Sequence, residues 1–227
     1  FPEELTRVLS AKTGLIDIFF CQNDKAALNV TKYKKTVFCT QYNTILDSIR
    51  LAAKVPPRKK ITAASEKFAI ASLHRFETIS KKENLAAIVK YLIKISKDIN
   101  LLFILHPPTR VALQKANLYS LLEKEPGCHL LQRQGFFEFN QLLREAEFIL
   151  TDGGSNQEEC FYLGIPCLLL RSETERMEGL NANIVISKFN LAVISDFVAN
   201  YKSHRRKPVS DNFSPSHFIV EQIKGFI

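Results

Sequence analysis

The stretch that most restricts the fold is a change of rhythm around Thr151-Asp152-Gly153-Gly154-Ser155-Asn156-Gln157-Glu158-Glu159. Phe148, Ile149 and Leu150 before it make a short apolar run suited to a buried strand, and Gly153-Gly154 reads as a backbone hinge. From Ser155 to Leu163 the spacing becomes helical. Strand, glycine turn and helix start, in that order, bring free N–H groups and a positive helix end to one point, which is how α/β proteins hold a phosphate. Two glycines alone are weak evidence. A carboxylate one turn into the helix, Glu159, and an arginine beyond the next apolar run, Arg176, make the stretch much more specific.

The same alternation runs along the whole chain. Phe1–Arg7 reads as a helix start ended by Gly14, with Leu15–Phe20 as a strand, Asp24–Val30 as a short helix and Thr36–Cys39 as a second strand. A helix enters at Asn43 or Thr44 and runs to about Ala53. Lys54–Glu66, with Pro56-Pro57 and the basic cluster Arg58-Lys59-Lys60, reads as a loop. Phe68–Leu73 and Leu101–Leu105 are apolar strands flanking a helix over Asn84–Lys97, whose Leu85, Ile88, Leu92 and Ile95 form a stripe of 3.6-residue period. Helices over Ala112–Leu122, Phe136–Ala146, Leu191–Tyr201 and Pro215–Ile227 follow, with strands at His129–Leu131, Glu147–Leu150 and Ile184–Ile186. Lys202–Pro208 reads as a polar basic loop. Strands alternating with helices throughout predict an α/β fold, a doubly wound parallel sheet of Rossmann-like type.

The formal net charge of +8 raises the question of nucleic acid or an anionic membrane. The cations are dispersed, however, and no basic-aromatic interleaving of an RNA-binding sheet occurs, so a solvated basic surface with a phosphate-bearing ligand is the expectation. The longest apolar runs are far too short to span a bilayer. Five scattered cysteines without CxxC or His/Cys spacing predict reduced core residues of a cytoplasmic protein and no metal site. A first residue that is Phe, with no signal-peptide pattern, suggests an excised or processed piece.

The motif Thr151-Asp152-Gly153-Gly154 with Gln157-Glu158-Glu159, the Gly164-Ile165-Pro166 turn, and Arg171-x-x-Thr174-Glu175-Arg176-x-Glu178 together resemble the non-hydrolysing UDP-N-acetylglucosamine 2-epimerases. Those enzymes have two Rossmann-like domains in the GT-B arrangement. A second anchor is Pro2-Glu3-Glu4, Arg7, Asn43-Thr44 and Asp47, with Thr6 where the family has Asn and Tyr42 where it has Gly. For Asn43 and Asp47, a helix cap and an exposed first-turn acid are as good a reading as ligand roles. His74-Arg75 with Glu77 fits the family's His-Arg-Arg-Glu-Asn, although Phe76 and Thr78 depart from it. His106 matches a family histidine, yet a structural role before a proline turn is preferred. Phe139 matches an aromatic beside the uracil, with a plain core role equally open. Met177 replaces a family Pro, and Asn183, able to take a left-handed backbone, replaces a Gly. The Tyr-Gly-Asp-Gly turn before the last helix has no match in Asp211-Asn212-Phe213-Ser214.

The resemblance implies a division of labour. Gly153, Gly154 and Ser155 would face a diphosphate, Glu159 would take both ribose hydroxyls, and Arg176 would pair with phosphate in fork geometry with His74 alongside, Arg75 being a further UDP-binding residue. Phe139 would flank the uracil, and His74 would be the catalytic residue. Glu158 and Gln157 are as well explained as first-turn polar residues. The family inverts C2 of the GlcNAc unit by eliminating UDP and adding it back, giving UDP-ManNAc with no added cofactor. The acids that act on C2 lie in its N-terminal domain. The expected division is therefore 1–33 as the tail of that domain, 34–214 as the UDP-binding C-terminal domain, and 215–227 as a helix returning to the first domain. Other expectations are UDP-GlcNAc or UDP as ligand, a homodimer, no metal, and neither nucleic acid nor membrane as partner. Hydrolysing relatives lack Gln-Glu-Glu. The alternatives are a GT-B glycosyltransferase domain and a non-catalytic nucleotide-sugar-binding module.

Overall fold

The computed structural model describes residues 2–56 and 67–226. The expected loop after Lys54 therefore falls mostly outside the described residues, as does the cluster Arg58-Lys59-Lys60. The chain divides into two compact units: one holds the residues up to Arg50 and from Asp211 onward, the other runs from Leu51 to Ser210.

In the first unit, α1 (Pro2–Lys12) leads to β1 (Ile18–Cys21), α2 (Asp24–Val30), β2 (Thr36–Cys39) and α3 (Ile45–Lys54), whose last residues pass into the second unit. β1 and β2 pair in parallel, with Ile18 opposite Thr36. The strand expected from Leu15 thus begins at Ile18. Upstream of Thr36 the partner chain turns through a left-handed Lys34, so Leu15 has no strand to pair with and is 79% exposed. Asn43 caps α3, its Oδ1 accepting from the N–H of Ile45 at 2.9 Å. Asp47 accepts from the Ser214 hydroxyl at 3.0 Å and the Ser216 N–H at 2.8 Å, anchoring the final helix Pro215–Lys224. Asp211 and Phe213, in the turn that departs from the family, accept from Arg50 through their carbonyls.

The second unit contains β3 (Phe68–Leu73), α4 (Phe76–Ile79), α5 (Lys82–Ser96), β4 (Asn100–Leu105), α6 (Pro107–Lys115), α7 (Tyr119–Glu123), β5 (Cys128–Gln132) and α8 (Phe136–Glu145). It continues through β6 (Ile149–Thr151), α9 (Gly154–Leu163), β7 (Cys167–Leu169), β8 (Ile184–Ile186) and α10 (Leu191–Asn200). Among the described residues, six strands form one wholly parallel sheet in the order β5-β4-β3-β6-β7-β8. This is the expected doubly wound α/β sheet.

Side chains alternate across a strand, and both faces of this sheet are covered. Ala69, Ala71 and Leu73 of β3 face one layer, where α5 contributes Leu85, Ile88, Val89, Leu92 and Ile95, joined by Leu113, Leu122 and Phe197. Phe68 and Ile70 face the other layer, with Leu142 and Leu143 of α8 and Cys160 of α9. Burial on both sides explains why β3 and β4 read as continuous apolar runs instead of alternating patterns.

The helix expected over Ala112–Leu122 is two helices. Asn117 takes a left-handed backbone (φ 59°) between α6 and α7, a conformation that Asn tolerates better than most residues. The left-handed position expected at Asn183 lies instead at Gly179 and Asn181, with φ 74° and 62°. Asn183 is buried and donates to the carbonyls of Cys160 and Ile165, at 2.8 and 2.9 Å, tying the segment before β8 to the end of α9. The basic stretch from Lys202 is anchored: Arg205 donates to the carbonyls of Ala146 and Glu147 at 2.8 and 2.9 Å. All five cysteines are free thiols, four of them buried and Cys39 exposed.

Candidate functional site

The strand order reverses beside β3. The chain moves outward through β4 and β5, then returns to lay β6 against the other edge of β3. At such a switch point the connections leaving neighbouring strands depart to opposite sides, which opens a crevice beyond their carboxyl ends. A cavity of about 280 Å³ lies there. It is lined by Ser72, His74 and Arg75 after β3, His106 after β4, Arg133 after β5, Phe136 and Phe139 of α8, and Gly153 to Asn156 at the start of α9. Arg176 closes one side.

The lining is electrostatically one-sided. It holds three arginines and two histidines and, among the described residues, no carboxylate. The amino end of α9 adds to this: Gly153 is its cap and no side chain there satisfies the first-turn N–H groups. Positive side chains and a positive helix end converge on one space.

The two glycines serve close approach. Gly153 has an ordinary extended backbone (φ −85°, ψ 126°), which corrects the expectation of a hinge. A Cβ on Gly153 would lie 2.8 Å from Asn156 Oδ1 and 2.9 Å from His74 Cε1. A Cβ on Gly154 would lie 2.5 Å from Arg176 Nε. The guanidinium therefore rests directly over the first turn of α9, and its Nε has no hydrogen-bond partner among the described residues.

Behind the crevice, α9 buries three consecutive polar residues, two tied to the loop that carries Arg176 and one to Asn156 and α8. Gln157 accepts from the Thr174 hydroxyl at 2.8 Å and donates to the carbonyls of Arg176 and Glu178, at 3.2 and 3.0 Å. One side chain thereby shapes the loop that carries Arg176. Glu158 makes an ion pair with Arg176. Glu159 accepts from Asn156 Nδ2 at 2.9 Å and lies 3.5 Å from Asn140 Nδ2 on α8. Burial pushes the Glu159 carboxyl up to about 7, against the two asparagine contacts that lower it, with the nearby Glu158 adding to the rise. Gln157 and Glu158 thus do more than decorate a first turn.

At the end of β3, buried Asp152 accepts from the N–H of His74 at 3.0 Å and of Arg75 at 3.0 Å. His74 Nδ1 lies 3.3 Å from the same carboxylate. The His74 and His106 rings sit 4.8 Å apart, and His106 Nε2 is 3.5 Å from the Ser72 hydroxyl. Burial, then the neighbouring His74 and Arg133, lowers the His106 imidazole from its ordinary value. Among the described residues no group of three or more His, Cys, Asp or Glu is arranged to hold a metal ion, and no helix is long and apolar enough to cross a membrane.

A family model described as UDP-N-acetylglucosamine 2-epimerase matches residues 1–214. The chain belongs to this family. A UDP-N-acetylglucosamine 2-epimerase of Methanocaldococcus jannaschii is 28% identical over 233 residues, covering 96% of this chain and 63% of the relative. One from Methanococcus maripaludis is 33% identical over 194 residues, covering 80% of this chain and 52% of the relative. The chain therefore spans about half to two thirds of the length of these relatives. The solved structure of the M. jannaschii enzyme in complex with UDP-GlcNAc and UDP superposes with a TM-score of 0.79 at 26% identity, over 99% of this chain and 65% of that one. The expected GT-B relationship is thus shown by likeness of both sequence and fold.

Within this family's pattern, the structure brings His74, Arg75, Phe139, Gly153, Gly154, Ser155 and Arg176 to one crevice. Glu159 is set one layer back, 4% exposed and held by two asparagines. His106, expected as structural, lines the cavity. Arg133 and Asn156 had no expected role and also line it. Arg133 stands one residue beyond a strand end in a parallel sheet, which was the available signal for it. Asn156, three residues before Glu159 on a helix, had only an i, i+3 spacing to mark it.

Proposed function

We propose that this chain is the UDP-binding portion of a UDP-N-acetylglucosamine 2-epimerase, interconverting UDP-GlcNAc and UDP-ManNAc by eliminating UDP and adding it back. The observation that carries the reading is the one-sided crevice: three arginines, two histidines and the amino end of α9, with no carboxylate among the described lining residues, at the switch point of a sheet of this family. A departing diphosphate is stabilised by this set, because charge developing on its oxygens meets preorganised donors. Ser155 and the first-turn N–H groups take phosphate oxygens, with Arg176 and Arg75 alongside. Phe139 flanks the uracil. Glu159, ionised, accepts the ribose hydroxyls once the asparagines yield. His74 is the catalytic residue, at the leaving oxygen.

Moving the C2 proton needs an acid and a base. A lining without carboxylates among the described residues supports placing those groups in a preceding domain, and the shares of 63% and 52% of the relatives' lengths support the existence of one. The unit formed by residues up to Arg50 and from Asp211 belongs, in this reading, with that domain. The protein works in the cytoplasm as a homodimer, and its reaction takes no added cofactor. The test is exchange of the C2 hydrogen of UDP-GlcNAc in heavy water by the full-length protein. Deuterium enters C2 if the reading holds. Its absence, with UDP still bound, would leave a glycosyltransferase or a binding module.

A further inference from the structure

Asp152 is fully buried, and among the described residues its hydrogen-bond donors lie just past the end of β3: the N–H groups of His74 and Arg75. The third group against it is the imidazole itself, with Nδ1 at 3.3 Å. A carboxylate taken out of water needs partners, and one supplied by the His74 backbone and ring and the next backbone N–H fixes the geometry of that short segment. A carboxylate also only accepts, so a ring nitrogen facing it carries the hydrogen. We propose that Asp152 is a positioning residue for His74: it keeps the ring hydrogen on Nδ1 and turns the opposite edge, Nε2, toward the crevice.

Two further contacts support the assignment. A Cβ on Gly153, the next residue after Asp152, would come within 2.9 Å of His74 Cε1, so the ring lies close against this turn. The His106 ring packs against it at 4.8 Å between centroids. Asp152, Gly153 and His106 thus all lie against the ring, and among these three only Asp152 selects a tautomer. The proposal rests on the reading of the crevice as a nucleoside diphosphate site, because Nε2 matters only if a ligand oxygen meets it.

The substitution Asp152→Asn separates tautomer from fold. Oδ2 already lies within reach of both backbone N–H groups, at 3.2 and 3.0 Å, so an amide oxygen there retains them. The amide nitrogen takes the place of Oδ1, giving up the His74 N–H that Oδ1 accepts at 3.0 Å, and there it faces Nδ1 and donates to it, driving the ring hydrogen to Nε2. In nitrogen-15 NMR of the full-length protein, with the His74 signals assigned by their loss in His74→Gln, the wild type is expected as the Nδ1–H form and Asp152→Asn as the Nε2–H form. The kcat for epimerisation should fall on the order of 100-fold, with KM changed only a few-fold. In a His74→Gln background, Asp152→Asn should cost nothing further. A wild-type ring protonated on Nε2 overturns the proposal even if the variant does not fold. So does a further loss of kcat in the His74→Gln background, which would mark Asp152 as merely structural. If the wild type binds no UDP, the diphosphate reading falls, while the tautomer measurement still decides what Asp152 does to the ring.

Discussion

Helices α5 and α9 flank the same sheet and bury themselves by opposite means. α5 presents Leu85, Ile88, Val89, Leu92 and Ile95, a stripe that any helix on a sheet could carry. α9 buries Gln157, Glu158, Glu159 and Cys160, and three of these four are polar. Apolar burial is non-directional and stabilises in proportion to area. A buried polar side chain is tolerable only where specific partners meet it, so it contributes little net stability and a great deal of geometry. α5 is scaffold. α9 holds the arginine loop, the Arg176 guanidinium and the contact with α8 in register with the crevice.

That contrast predicts that damage to α5 lowers stability and spares the site, and that damage to α9 does the reverse. The largest effect is expected for Leu92→Ala, which truncates a side chain that is 1% exposed. It should cost about 2–5 kcal/mol of unfolding free energy in a denaturant titration. The affinity of the still-folded protein for UDP should stay within about two-fold. A parallel loss of affinity would show that scaffold and site are not separable.

Glu159→Gln tests the other helix. The carboxyl is raised from 4.5 to about 7, so the folded state holds its proton more tightly than the unfolded chain does. The sign follows: ionisation of Glu159 erodes stability as pH rises from about 4.5 to about 7, and the whole penalty is present above that range. A neutral amide escapes it. At about 1.4 kcal/mol per pKa unit, the variant should exceed the wild type by up to ~3 kcal/mol at pH 8, the gap closing near pH 4.5. Uridine, which has no ionisable phosphate, should bind the wild type more tightly as pH rises through 7 and the variant weakly at every pH. A variant no more stable than the wild type at pH 8 would remove the burial argument.

The sequence made α5 legible and α9 only partly so. Periodicity reports apolar faces, and it located α5 and both central strands, since a two-sided sheet leaves continuous apolar runs such as Phe68–Leu73. The phosphate turn was legible because strand, glycines and helix lie within one short segment. What periodicity cannot show is a polar partner chosen by tertiary approach. Gln157 meets Thr174 across 17 positions, and Asp152 meets His74 across 78. The break at Asn117 was hidden for a different reason: the apolar spacing carries on through α6 and α7 while one left-handed residue redirects the chain.

The smallest expected effect sharpens the comparison most finely. Gly154→Ala places a methyl group against Arg176 Nε, which a flexible side chain can evade. An alanine in the first turn of α9 has an acceptable backbone conformation and should leave stability unchanged or raise it by about 0.4–1 kcal/mol. UDP affinity should nevertheless fall a few-fold as the guanidinium is displaced. Improved stability with weakened binding is the signature expected of a residue kept for the site alone.

The central claim is that this crevice grips a nucleoside diphosphate through its phosphates. Its most direct test is calorimetric titration of the protein with UDP and with uridine, in the wild type and in Arg176→Ala. The wild type should bind UDP more tightly than uridine. Arg176→Ala should lose on the order of 10- to 100-fold of its UDP affinity, the worth of one hydrogen-bonded charge, and hold uridine as before. Equal wild-type affinity for the two ligands, or an equal loss for both in the variant, would contradict the account.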